Sequence, residues 1–266
     1  MTLHCIQQPH QHLKATIVHG ILTLAIQRPE AKNALYSDLY LCIAQALDEA
    51  DQSNDVRVVI LRGADADFTA GNDMQDFMRF IQMPLPEKAG DAPPFVLLKS
   101  AARFSKPLII AVRGVAIGIG VTILLHADMV YSDETALFQI PFVSLGLSPE
   151  GAASRLLSKQ AGYLKAAELM FTAQKFNSEK ALNAGLITSI ENDVYAHAQQ
   201  QAQHLASLPL ASLKQSKALM KSDLAEIIQC IDDEAEIFMR RVKSAEMQEA
   251  VQAFMQKRKP DFTQFN

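Results

Sequence analysis

The amino-acid sequence predicts an α/β fold that passes into a helical C-terminal region. Two short runs of apolar, mostly β-branched residues, 56–61, broken only by Arg57, and 108–112, read as buried strands. Helical periodicities lie between and beyond them, which is the alternation of α/β proteins. From Glu150 onward the composition turns rich in alanine, leucine and lysine. A chain of 266 residues is long enough for one large domain or two small ones, and 49% apolar against 20% charged residues excludes disorder.

Lys14 to Gln27 reads as a hairpin, with Ala15, Ile17 and Val18 before His19-Gly20 and Ile21, Leu22, Leu24 and Ile26 after it. Ser37 is the expected N-cap of a helix, because Leu39, Ile43, Ala46, Leu47 and Ala50 recur at helical spacing up to Asp51. Val56 to Leu61 is the next strand, then Leu108 to Val112, with a helix over Gly118 to Ala127 and a strand over Met129 to Tyr131. Further helices are expected at 151–160, 162–171, 178–184, 193–208, 211–221, 224–242 and 244–258. Ser178 and Gly185 bracket the third of these as N-cap and C-terminal glycine, and Leu186 to Ile190 reads as a brief strand. Met83 to Pro94, with four prolines and Gly90, reads as a long loop, either a functional lid or a disordered span.

Lys and Arg number 25 against 29 Asp and Glu, so no global basic field draws the chain to nucleic acid or to an anionic membrane. The short cluster Arg240, Arg241 and Lys243 reads as a solvated helix face. No apolar run reaches the roughly 18 residues of a membrane span, and the N-terminus lacks a secretory h-region, so the expected compartment is the cytoplasm. Cys5, Cys42 and Cys230 are odd in number and lack metal-ligand spacing, which suits a reducing compartment. His10 and His12 form an H-x-H in a polar, mobile-looking N-terminus with no carboxylate or cysteine at ligand spacing, so no metal is expected. His126, at the end of its helix, suits a C-terminal cation.

Three segments could carry chemistry: Phe68 to Met74, Ala111 to Gly120 and Pro141 to Gly151. In the first two a strand runs into small residues and then into a helix, leaving unpaired N–H groups suited either to an oxyanion or simply to tight packing. Gly118-Ile-Gly120 is not a dinucleotide fingerprint, since the third glycine and the acid about 20 residues on are missing.

In this order the three segments resemble the crotonase (enoyl-CoA hydratase/isomerase) superfamily. Arg28 to Leu35, Asn177 to Leu186 and Phe254 to Phe262 extend the likeness over nearly the whole chain. The resemblance implies a crotonase-like spiral of ββα units over 1–205. It also implies a C-terminal helical region over 206–266 that forms a homotrimer or a dimer of trimers. The implied substrate is an acyl-CoA thioester, with no cofactor beyond the coenzyme A of the substrate itself. By motif position the main-chain N–H groups of Asn72 and Ile119 would polarise the thioester carbonyl, with Gly118 allowing close approach. Such donors stabilise an enolate oxygen by about 2.7–4 kcal/mol each.

The hydratases of the superfamily use two glutamates, and here the matching positions are Thr122 and Phe142, neither of which titrates. Glu150, in Leu147-Ser-Pro-Glu-Gly151, instead resembles the single base of the Δ3,Δ2-enoyl-CoA isomerases. A capping carboxylate at the following helix is its other reading. Hydration, or another enolate reaction, would need a second carboxylate in the cavity. Asp128 and Asp133 read as turn or capping residues, Glu134 as surface, and Asp73 as ordering its loop or touching CoA. By resemblance Ala31, Lys32, Ala70 and Met74 would line the CoA path, and Phe254 and Lys257 would close it from a neighbouring C-terminal helix. Lys32 and Lys257 suit phosphates or, equally, plain solvated surface. Phe77, Met78, Phe80, Ile81 and Met83, at helical spacing, suit an acyl tunnel or a core contact.

Overall fold

The computed structural model describes residues 3–82 and 86–265, and the side chains of 80–82 lie outside that description. The elements run α1 (His4–Gln7), β1 (Leu13–Val18), β2 (Ile21–Ile26), α2 (Ser37–Gln52), β3 (Val58–Gly63), α3 (Met74–Gln82) and α4 (Pro93–Arg103). There follow β4 (Leu108–Val112), β5 (Val115–Ile117), α5 (Ile119–Thr122), β6 (Met129–Ser132), β7 (Leu137–Gln139), α6 (Ala153–Ala161) and α7 (Tyr163–Thr172). The last are β8 (Phe176–Asn177), α8 (Ser178–Asn183), β9 (Ser189–Ile190), α9 (Val194–Ser207), α10 (Leu210–Met220), α11 (Leu224–Val242) and α12 (Ala245–Met255).

Two sheets share the strands. The larger has the order β1-β2-β3-β4-β6-β9, antiparallel only between β1 and β2; the smaller has β5-β7-β8. β4, β5 and α5, and then β6, β7 and α6, each run from the large sheet to the small one and into a helix, so these two turns of the spiral are ββα units; β8 joins the small sheet and, after α8, β9 closes the large one. The β1–β2 turn takes positive φ at His19 and Gly20, the twist-matched geometry of a tight hairpin.

Strand residues alternate between two apolar layers, which is why β4 and the Val58–Leu61 part of β3 are apolar on both faces. Val58, Ile60, Ile109 and Ala111 pack on Val194, Ala198 and Ala202 of α9. Val59, Leu61, Leu108 and Ile110 turn the other way, into the main core with Leu39, Ile43 and Leu47 of α2 and Leu97 and Leu98 of α4. Ile231, Ala235, Phe238 and Met239 of α11 belong to that same core. Among the described residues no helix is long and apolar enough to cross a membrane.

Several local expectations are corrected. Tyr36, not Ser37, is the N-cap of α2; Ser37 is its first helical residue, and its N–H and Oγ–H both donate to Asp76 Oδ2. Asn177 caps α8, leaving the Ser178 hydroxyl to donate to the Asp133 carbonyl. The helix expected over 118–127 is one turn of α5 followed by a 3-10 turn over Ile123–His126. Of the expected 186–190 strand only Ser189 and Ile190 form β9, with Thr188 N–H donating to Val130 O just before it. Within the expected 83–94 loop, Ala89–Asp91 forms a 3-10 turn and Pro93 and Pro94 open α4, where a missing N–H costs nothing. Met83 and the rest of 83–85 lie outside the described residues. His10 and His12 are tied rather than loose: both bond the Tyr36 hydroxyl.

Lys106 fastens the end of α2 to the entry of β3. Its buried ammonium donates to the carbonyls of Ala50 (2.6 Å), Ser53 (2.6 Å) and Val56 (2.9 Å). Lys106→Met strips all three acceptors of their donor and is expected to lower stability by about 2–4 kcal/mol in urea denaturation. A loss below about 0.5 kcal/mol, the range of ordinary surface substitutions, would show that water replaces the ammonium.

Candidate active site

The three segments singled out from the sequence meet at one cleft. The chain after β3 runs alongside β5, with Thr69 N–H donating to Val115 O (2.9 Å) and Ile117 N–H to Thr69 O (3.1 Å). On its other side Ala70 N–H donates to Lys32 O, and Asp73 N–H to Leu35 O. Phe68 N–H and Gly71 N–H are satisfied by Arg113 O and Thr69 Oγ1. Asn72 N–H alone in this stretch has no protein acceptor among the described residues. Across the seam, Gly118 (φ 58°) is the N-cap of α5 and Ile119 its first residue, whose N–H is likewise free. A Cβ on Gly118 would meet open space, so the backbone there can be approached closely.

Asn72 and Ile119 line two adjoining chambers. The inner one is walled by Leu35, Tyr40, Phe77, Phe95, Phe142, Phe238 and Met239, and it contains Glu150. The outer one is bounded by Ala70, Met74, Gly118, Gln139, Leu145 and, from α12 of the same chain, Val251 and Phe254. Asn72, Phe77, Ile119, Phe142 and Phe238 are common to both.

Glu150 follows the 3-10 turn Phe142–Leu145 and precedes α6. It is buried, and one carboxyl oxygen accepts the Thr122 hydroxyl at 2.6 Å while the other has no partner. Burial pushes its pKa from 4.5 up to about 8; the Thr122 hydrogen bond opposes that and the nearby Glu234 carboxylate adds to it. Thr122 is thus a partner of Glu150 from beneath, not a lining residue of either chamber, which corrects its expected substrate contact. His126, expected as a cation, is instead neutral: burial pushes its pKa down to about 3, with Lys221 adding to the effect, and its Nε2 bonds Gly151 O at 2.9 Å.

Asp73 and Asp76 also face the inner chamber, so it holds three carboxylates rather than one. Burial works against the Asp73 carboxylate, yet the N–H groups of Asp76 and Gln75 and the Arg28 guanidinium at 2.7 Å outweigh it and hold its pKa below the usual value. Asp73 therefore orders its loop. Asp128 and Asp133 are structural, bonding Leu108 N–H and Lys217 in one case and Arg113 and Thr135 in the other. Glu134 is exposed. Arg241 is no free solvated charge; it donates to Gly146 O and pairs with Glu246.

Ala31, Lys32 and Lys257 line neither chamber. Lys32 and Lys257 are exposed with left-handed backbones, and Lys32 reaches the cleft only through the carbonyl that holds Ala70. Phe77 walls both chambers; Met78 is half-buried, and the Phe80 and Ile81 side chains lie outside the described residues. Tyr40, Asp76, Phe238 and Met239 are cleft residues the sequence reading missed. For Tyr40 the signal was there: a tyrosine inside an apolar helical stripe needs a buried partner for its hydroxyl, and here it donates to Asn72 Oδ1. Among the described residues no cluster of three His, Cys, Asp or Glu side chains could hold a metal ion.

A family model described as enoyl-CoA hydratase/isomerase matches residues 16–265. The chain is 32% identical to the 1,2-epoxyphenylacetyl-CoA isomerase of Escherichia coli, over 92% of this chain and 95% of that one. It is 31% identical to the enoyl-CoA delta isomerase 2 of Rattus norvegicus, over 95% of this chain and 65% of that one. A crystal structure of an Acinetobacter baumannii protein assigned to the enoyl-CoA hydratase/isomerases superposes with a TM-score of 0.90. The two chains are 74% identical, with 92% and 99% covered.

The raised pKa of Glu150 has a thermodynamic signature. The folded state holds this proton more tightly than the unfolded chain, so Glu150 lowers stability progressively as pH rises from about 4.5 to about 8. Glu150→Gln, which cannot ionise, is expected to flatten that part of the pH–stability curve and to gain on the wild type above pH 8, read by urea denaturation. Parallel curves for the two proteins would mean that Glu150 ionises freely when folded.

Proposed function

The chain belongs to the enoyl-CoA hydratase/isomerase family, and from that premise we propose that it shifts the double bond of a 3-enoyl-CoA to the 2-position. The observation that carries the reading is a single unsalted, buried carboxylate, Glu150, in one chamber with two unsatisfied main-chain donors, Asn72 and Ile119. Glu150 removes a proton from C2, and the C–H electron pair moves toward the thioester oxygen, where the two N–H groups hold the developing charge. The carbonyl then re-forms, C2 and C3 become doubly bonded, and the former C3–C4 pair takes the proton from Glu150 at C4. One base serves both transfers. Phe142 and Phe238 keep water from the enolate.

Hydration is the second reading, favoured by Asp76, a second carboxylate of the same chamber whose Oδ1 has no protein partner among the described residues. Against it, Thr122 and Phe142 occupy the positions where hydratases of the family resemblance carry glutamates, and Asp76 Oδ2 is bound to the start of α2. Turnover of crotonyl-CoA by water addition separates the two, and it is expected to be far slower than isomerisation of 3-hexenoyl-CoA. Glu150→Gln should lower the isomerisation rate by roughly 10²–10⁴ while CoA-ester binding stays within a few fold. Retention of more than about a tenth of the wild-type rate would remove Glu150 from the role, given the usual size of a general-base effect. The base must be ionised, so wild-type kcat/KM should climb with pH and level above about 8; an inflection near 4.5 would contradict the assignment.

The donors are main-chain groups, and proline can delete one. Ile119 is the first residue of α5, a position that tolerates proline. Ile119→Pro should cut the rate by about 10²–10³ with much less effect on thermal stability, against Ile119→Ala as the variant that keeps the N–H. Equal rates in two folded variants would exclude the Ile119 amide.

A further inference from the structure

Asn72 needs only its main chain to bind an oxyanion, and any residue would supply that N–H. Its side chain is nevertheless set in place: the buried Tyr40 hydroxyl donates to Oδ1, which fixes the amide and leaves the NH2 end without a protein acceptor among the described residues. Asn72 borders both chambers, so its side chain is placed to meet an acyl chain. Asp76, which lines the inner chamber with it, spends Oδ2 on the Ser37 N–H and hydroxyl, both at 2.8 Å, and its Oδ1 has no protein partner among the described residues. A plain hydrocarbon chain would strip water from this donor and this acceptor and return nothing to either.

We propose that the cleft selects acyl-CoA thioesters whose acyl chain carries a hydroxyl, accepted from Asn72 Nδ2 and offered to Asp76 Oδ1. A hydroxyl is the simplest group that both donates and accepts. Only a few covalent bonds separate the Asn72 N–H at the thioester oxygen from its amide nitrogen, so the hydroxyl lies near the thioester, and because C2 to C4 take part in the proposed reaction, the test places it on C5. The apolar wall opposite, Phe142 and Phe238, takes the carbon chain. This rests on the reading of the cleft as an acyl-CoA site, but not on which reaction occurs there.

Binding of two saturated, unreactive thioesters, hexanoyl-CoA and 5-hydroxyhexanoyl-CoA, tests it by titration calorimetry on the full chain. The hydroxylated ester should bind about tenfold more tightly to the wild type, the worth of one well-made hydrogen bond. Asn72→Ala should erase that advantage, and Tyr40→Phe, which releases the amide, should reduce it. Equal or weaker binding of the hydroxylated ester to the wild type overturns the inference without any variant, as does an advantage that survives in Asn72→Ala. A chain that binds neither ester overturns the acyl-CoA reading along with it, whereas equal binding of both leaves that reading standing.

Discussion

Everything in the cleft depends on two strand ends pressed together too closely for side chains. A Cβ on Gly71 (φ 84°) would lie 2.6 Å from the Ile117 carbonyl, and one on Gly120 would lie 2.7 Å from Thr69 Cγ2. The seam closes because those positions are empty, and it leaves the main chain of each strand end to satisfy the other. Counting the N–H groups from Phe68 to Asp73 leaves one over, and it is the one beside the cleft. Backbone pairing thus prepares the site, so no reorganisation is needed when charge appears.

The second constraint is desolvation under Glu150. A carboxyl in an apolar pocket is held protonated unless something pairs with it, and the Thr122 hydroxyl offers only partial compensation. The neighbouring polar groups are arranged to add no positive charge: His126 is neutral and ties Gly151, and Glu234 is spent on the Ser154 N–H and hydroxyl at the start of α6. A buried cation beside Glu150 would pull its pKa down, leaving the carboxylate ionised at neutral pH but a weaker acceptor of a carbon-bound proton. The large apolar core on both sides of the main sheet carries the cost of this arrangement.

Strands buried on both faces are legible in a sequence because they run apolar over several residues, and β4 and the Val58–Leu61 part of β3 appear for that reason. The small sheet is not, since β5, β7 and β8 are two or three residues long, below any periodicity, and exist through pairing with distant segments. Pro93 and Pro94 read as loop because proline alone does not distinguish a turn from a helix start. The helices after Glu150 are legible through composition and spacing. Asn72, Ile119 and Glu150 were legible as an ordered set of motifs; their convergence is tertiary. Asp76 and Tyr40 were hidden, each looking like an ordinary helical residue until Ser37 and Asn72 arrived against them.

This division of labour explains how one scaffold can keep a reaction type while its substrate varies. In the proposed reaction the charge-stabilising donors are peptide groups, indifferent to the residue that bears them, which leaves the side chains of Asn72 and Ile119 to be chosen for what they meet. At Asn72 the side chain is held in place, because the hydroxyl of the fully buried Tyr40 donates to its amide oxygen. On the proposed reading, transition-state binding and substrate recognition meet in this one residue through different atoms. A change of side chain there is expected to leave the main-chain N–H in place, since its position is set by Leu35, Thr69 and the glycine seam rather than by residue 72 itself.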